Sequence, residues 1–205
     1  MLKLIALLSL TICFHSCHGH SYQKHDKKLR FAPRPPHSDK TRMARYIAHT
    51  VDWCVVGTVS TMDGRRGLPF TNVMSVVDGP VSNSTGVPYF YVTDYDQSMK
   101  DVKGNNNVSI TMSESQTGFC SDHDIDPESP LCTRLTLGGR FVRVTDEDEL
   151  SFAQNALFSR HPEMKAWITA HVFYVAKLEV EFIWLIDFYG GASIIDPKDY
   201  FDVSM

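Results

Sequence analysis

The chain has 205 residues, with 24 Asp and Glu against 20 Lys and Arg, a net charge of −4 with histidine neutral. That length suits one domain able to bury a core of its own. Mild acidity without a basic stripe argues against a nucleic-acid binder that works by neutralising phosphates.

The chain opens MLKLIALLSLTICFHSCHG. Lys3, the apolar run Leu4 to Phe14, and small residues at Cys17 and Gly19 read as a signal peptide over residues 1–19. The run is too short to cross a bilayer, which needs about twenty apolar residues, and no later run is long enough. The rest is expected to enter the secretory pathway. Residues 20–37 are basic, proline-bearing and aperiodic, an extended leader. The folded domain is expected over 38–205.

Ser38 or Asp39 caps a helix in which Met43, Ile47 and Val51 recur on one face. WCVVGTVSTM and LPFTNVMSVV read as strands joined by the turn DGRRG. The loop DGPVSNSTG carries the sequon Asn83-Ser84-Thr85, a candidate glycan acceptor in a secreted chain. VPYFYVT is a third strand, YDQSMKDVKG a short helix ended by Gly104, and NVSITMSES a fourth strand that begins with a second sequon at Asn107.

FCSDHDIDPESPLC follows, bracketed by Cys120 and Cys132. Asp122, Asp124 and Asp126 imitate the start of a calcium loop, but Pro127 and Thr133 stand where such a loop needs glycine and glutamate. No paired Cys/His spacing for zinc is present either, so no metal is expected. In an oxidising compartment Cys120 and Cys132 are the natural disulfide, leaving Cys54 a buried thiol.

CTRLTLGGRFVRVT is a long strand with a bulge or bend at Gly138-Gly139. Thr145 is expected to cap a helix whose apolar face carries Leu150, Ala153 and Leu157. A helical turn begins near Pro162, HVFYVAKLEVEFIWLIDFYGG supplies the last strands, and IIDPKDYFDV ends in a short helix. Many strands and few helices predict a closed or nearly closed antiparallel barrel with helices outside it. Trp53, Trp167 and Trp184 are expected as core or interface anchors. GxSxG, P-loop, HExxH and GxGxxG signatures are missing, and no nucleophile is tied to His161, so no catalytic residue is assigned.

TRMARYIAHTVDW, GLPFTNVMSVVDG, GVPYFYVT, TGFC…DPESPLC, LFSRHPEMKAW and IWLIDFYGG, in this order, resemble the secreted CREG glycoproteins. The resemblance implies a mainly β, six-stranded antiparallel split barrel with flanking helices, of the pyridoxamine-phosphate-oxidase-like, FMN-binding type. It also implies a homodimer with flavin sites at the dimer interface and an extracellular or endosomal–lysosomal location. Growth restraint, differentiation and glycan-dependent sorting by a receptor come with the family.

By the same resemblance a flavin lies along Pro69 to Val73, with its phosphate near Thr93 to Asp101. Thr71, Asn72, Val73, Thr93, Ser98 and Lys100 are then candidate FMN contacts. Gly190 and Gly191 match a glycine pair that lets the last strand approach the neighbouring subunit, or form a simple turn. Asp94, Asp96 and Asp101 oppose a phosphate at that turn, so FMN binding is expected to be weak or lost. An FMN-dependent oxidoreductase is the alternative. The stapled loop from Phe119 to Cys132 is expected to cover the mouth of that pocket.

Overall fold

The computed structural model describes residues 31–169 and 171–205; the expected signal peptide and most of the leader lie outside the described residues. Seven strands form one antiparallel sheet: β1 Trp53–Val59, β2 Pro69–Ser75, β3 Tyr89–Thr93, β4 Asn107–Ser113, β5 Arg134–Arg143, β6 Phe173–Ile186 and β7 Ser193–Ile194. Their order is β2-β1-β4-β5-β6-β3, with β7 paired to the C-terminal part of β6. The sheet curls until its two end strands approach. Just past β2 a lone bridge, Val77 with Tyr89 at the start of β3, links them, and the wall stays split from there on.

Alternation decides which side chains point inward. On β1, Cys54, Val56 and Thr58 are buried, while Trp53 and Val59 are exposed. The interior is filled by residues such as Ile110, Met112, Leu135, Leu137, Leu178 and Ile183, closed at one end by Met43, Ile47 and Val51 from helix α1, Lys40–Thr50, and its C-cap. Asp39 is the cap of α1, its carboxylate accepting from the Arg42 N–H. A second core forms where Ala153, Ala156 and Leu157 of helix α4, Glu147–Arg160, pack on Val77, Tyr89 and Val175.

Some local expectations are met and others are corrected. Asp146, not Thr145, caps α4, because its carboxylate reaches the Glu149 N–H at 2.9 Å. The last strands are one 14-residue strand, β6, plus the short β7. The bulge at the glycine pair places its extra residue, Glu181, on β6: Gly138 pairs with Phe182 and Gly139 with Val180. A Cβ on Gly139 would lie 1.9 Å from the Glu179 carbonyl oxygen, so only glycine permits that approach. The segment Pro162–Thr169 is a 3-10 helix. The cysteine loop starts with a one-turn helix, α3, Phe119–Asp122.

Cys120 and Cys132 are joined by a disulfide, and Cys54 is a buried free thiol whose pKa burial pushes up. Buried charged side chains are held by hydrogen bonds. Arg45 donates to the carbonyls of Ser84 and Tyr200, and Arg160 donates to those of His49 and Val51 and to the Asp52 carboxylate. Asp78 meets His49 Nδ1 at 2.5 Å and accepts from the Ser84 hydroxyl and the Gly86 N–H, fastening α1 to the loop that carries Asn83.

Candidate functional site

The split between β2 and β3 holds a cavity of about 200 Å³. Extending the Val77–Tyr89 bridge sets residues 73–75 opposite 91–93, and these two segments form its sides. Met164 and Trp167 of the 3-10 helix and Phe173 at the start of β6 complete most of the wall. Tyr91 and Phe173 stack with centroids 5.0 Å apart, and Trp167 lies 5.7 Å from Phe173. Among the described residues the lining has one formal charge, Asp96.

Asp96 is the N-cap of helix α2, Gln97–Gly104. One carboxylate oxygen accepts from the Ser98 N–H at 2.7 Å and the other from the Asn72 amide at 3.1 Å. The same two contacts close the helix N-terminus and cross the split. A free helix N-terminus attracts an anion through its unpaired N–H groups and its dipole. Here a carboxylate already takes that place.

The other acids of the turn are engaged too. Asp94 pairs with Lys103 at 2.8 Å and accepts from the Tyr174 hydroxyl; the hydrogen bond from Lys103 leads in holding its carboxyl below the usual value. Burial and the Asp94 contact push the Tyr174 phenol up to about 12. Asp101 is fully buried. Burial alone would raise its pKa, but hydrogen bonds from Thr61, Gln97 and Thr58 outweigh that and lower it.

The residues expected to contact a cofactor do not converge. Asn72, Val73 and Thr93 stand at or beside the cavity. Thr71 lies on the outer face of the sheet, in a shallow groove with Gly57, Ser109, Gly138 and Phe182. Ser98 is fully buried in the first turn of α2, its hydroxyl without a partner among the described residues. Lys100 faces solvent. Gly190 and Gly191 are exposed with φ near +105°, in the turn between β6 and β7 and outside the cavity lining. Both sequon asparagines, Asn83 and Asn107, are exposed.

Sequence reasoning missed Tyr91, Met164 and Phe173 as cavity residues, and it took Trp167 only as an anchor. No residue of the loop Phe119 to Cys132 lines the cavity of its own chain. That loop is held elsewhere, by Arg34 over the Phe119 ring and by Arg134 donating to the Pro127 carbonyl. Among the described residues no group of three or more His, Cys, Asp or Glu is placed to hold a metal ion. His161 is buried, and burial lowers its pKa.

The curled sheet, split between its end strands and flanked by helices, is that of the split-barrel proteins. A heme binding protein from Mycobacterium smegmatis superposes with a TM-score of 0.62 at 20% identity, over 82% of this chain and 61% of that one. ChuZ from Campylobacter jejuni does so with a TM-score of 0.59 at 14% identity, over 86% and 65%. The chain thus spans under two thirds of either solved structure. Within that class its family is CREG: the family described as "CREG, beta-barrel" matches residues 35–202, and the chain belongs to it. It is 40% identical to human Protein CREG1 over 91% of this chain and 84% of that protein, and 41% identical to human Protein CREG2 over 88% and 62%.

Proposed function

We propose that the protein is a homodimeric, secreted or endosomal–lysosomal glycoprotein of the CREG type, linked to growth restraint and differentiation, whose inherited flavin pocket no longer holds FMN. The carrying observation is the Asp96 carboxylate at the N-terminus of α2. An FMN phosphate brought there meets a negative charge, and the Ser98 N–H is already taken by it. Among the described residues of the cavity lining there is no arginine, the usual partner of a dianionic phosphate. The cavity, about 200 Å³, also falls below the roughly 300–1,000 Å³ usual for ligand pockets.

Dimerisation is supported by the outer face of the sheet. Strand register aligns Val73, Val55, Thr111, Thr136, Trp184 and Ile194 in one row across it. The neighbouring row is Thr71, Gly57, Ser109, Gly138 and Phe182. Neither row holds a charge, and charge depletion marks the centre of an interface. The exposed sequons supply what a glycan-dependent sorting receptor would read. Among the described residues no helix is long and apolar enough to cross a membrane.

The test is an FMN titration of the purified protein followed by the visible absorption of flavin, with sedimentation velocity at micromolar concentration. A dimer that leaves FMN free is expected. Stoichiometric FMN binding would instead support a flavin-dependent oxidoreductase.

A further inference from the structure

We propose that the cavity in the split between β2 and β3 binds a small organic cation, an alkylated ammonium group, with Asp96 as its counter-ion and Tyr91, Trp167 and Phe173 as its aromatic wall. This deepens the reading of a pocket that has lost FMN and rests on the same carboxylate, now taken as a ligand-binding group rather than only as an obstacle.

The charge is the first argument. Among the described residues Asp96 is the sole ionisable acid or base of the Lys, Arg, His, Asp and Glu types in the lining. Its two hydrogen bonds come from neutral donors, the Ser98 N–H and the Asn72 amide. An ionised carboxylate offers about four acceptor positions, so half of its capacity remains. Among the described residues no ion pair includes Asp96, whereas its neighbour Asp94 is matched by Lys103. The site therefore has an unbalanced negative charge in a recess.

The wall is the second argument. Trp, Tyr and Phe rings attract a cation through the negative faces of their π systems, and quaternary ammonium ligands are held in this way. Tyr91 and Phe173 are stacked, Trp167 is tilted against Phe173, and all three line the cavity. Met74 and Met164 add polarizable sulfur to the lining. An alkylated ammonium satisfies both halves of such a site, because its methyl groups suit the apolar wall and its charge suits the carboxylate. A neutral apolar ligand would leave Asp96 unmatched, and an anion would be repelled. The volume, about 200 Å³, sets the size class as small.

The probe is choline, compared with 3,3-dimethylbutan-1-ol, which has the same shape and no charge. Binding to the purified protein is measured by calorimetry and by tryptophan fluorescence. Choline is expected to bind with Kd of about 1 mM or tighter, and the alcohol at least about tenfold more weakly. Asp96→Asn keeps a competent helix cap, and is expected to weaken choline about tenfold while leaving the alcohol unchanged. Trp167→Ala should weaken choline and remove its fluorescence response. Equal affinity for choline and the alcohol overturns the proposal, as does undiminished choline binding by a folded Asp96→Asn protein, or no choline binding by the wild type. FMN is titrated separately by its visible absorption. FMN uptake would contradict the lost-flavin reading, while the choline comparison alone decides this one.

Discussion

Helix α2 carries the cap that shapes the cavity, and Asp101 is what fixes α2 to the sheet. Its carboxylate is fully buried and accepts four hydrogen bonds: from the Thr58 hydroxyl at 2.9 Å, the Thr61 N–H at 2.7 Å, the Thr61 hydroxyl at 2.8 Å and the Gln97 amide at 2.7 Å. Thr58 ends the inward row of β1 and Thr61 opens the loop to β2, so one side chain joins three segments. A hydrogen bond to a charged group contributes about 1.5–3 kcal/mol net, and stranded partners add a desolvation cost. The four are not additive, and Asp101→Ala is expected to cost about 3–5 kcal/mol. Asp101→Asn should cost less, because the amide oxygen still accepts while its NH2 faces donors.

The pH dependence carries a sign. The folded pKa of Asp101 is lowered from the ordinary 3.8. Its contribution is thus complete above that value and is lost as pH falls through the folded pKa. The gap between wild type and Asp101→Asn should therefore hold at mildly acidic pH and shrink only below 3.8. Urea unfolding at several pH values, read as a midpoint shift at constant slope, measures both effects. A loss under about 1 kcal/mol for Asp101→Ala, or a gap that closes well above that range, would refute the reasoning.

Gly139→Ala drives a Cβ into the Glu179 carbonyl and should cost about 3 kcal/mol or more, whereas Gly138→Ala meets Phe182 at an ordinary 3.5 Å and should cost under about 1 kcal/mol; thermal melts compare them. Replacing Cys120 and Cys132 by serine opens a loop with sequence separation 12 and should lower stability by about 3 kcal/mol in denaturant titrations. Cys54 should resist iodoacetamide in the native state and react after unfolding, since it is buried with its pKa pushed up. His161, with its pKa lowered from 6.5 by burial, favours the folded state above that value and less as pH falls through its folded pKa. His161→Gln should flatten the stability profile across that window.

Local chemistry was readable where it acts over short range. Ser38 or Asp39 before an amphipathic run predicts the start of α1, and the β-branched runs in WCVVGTV and NVSITMS predict β1 and β4. The cap of α4 was misplaced by one residue because Thr145 and Asp146 are both competent caps. Only the three-residue reach from Asp146 to Glu149 separates them. The site was less readable because tertiary contacts assemble it. Nothing near Asp96 in sequence announces that Asn72, 24 positions away, donates to it. Trp167 and Met164 reach the cavity only because the chain turns after α4 and brings the 3-10 helix back over the split. VPYFYVT marks Tyr91 as a strand residue, but its face toward β2 depends on a barrel closure that no local pattern encodes.

The split also bears on how such a sheet stays soluble. An open sheet presents two bare strand edges, each able to recruit a foreign strand. Here the end strands β2 and β3 turn their bare edges toward one another, and Met164 and Trp167 sit against the gap. The protein thus confines its main templates for edge-to-edge aggregation within its own wall. Loosening the segment Pro162–Thr169 would uncover both edges at once, so substitutions that detach this short 3-10 helix should appear first as self-association of strands, before any loss of the barrel core.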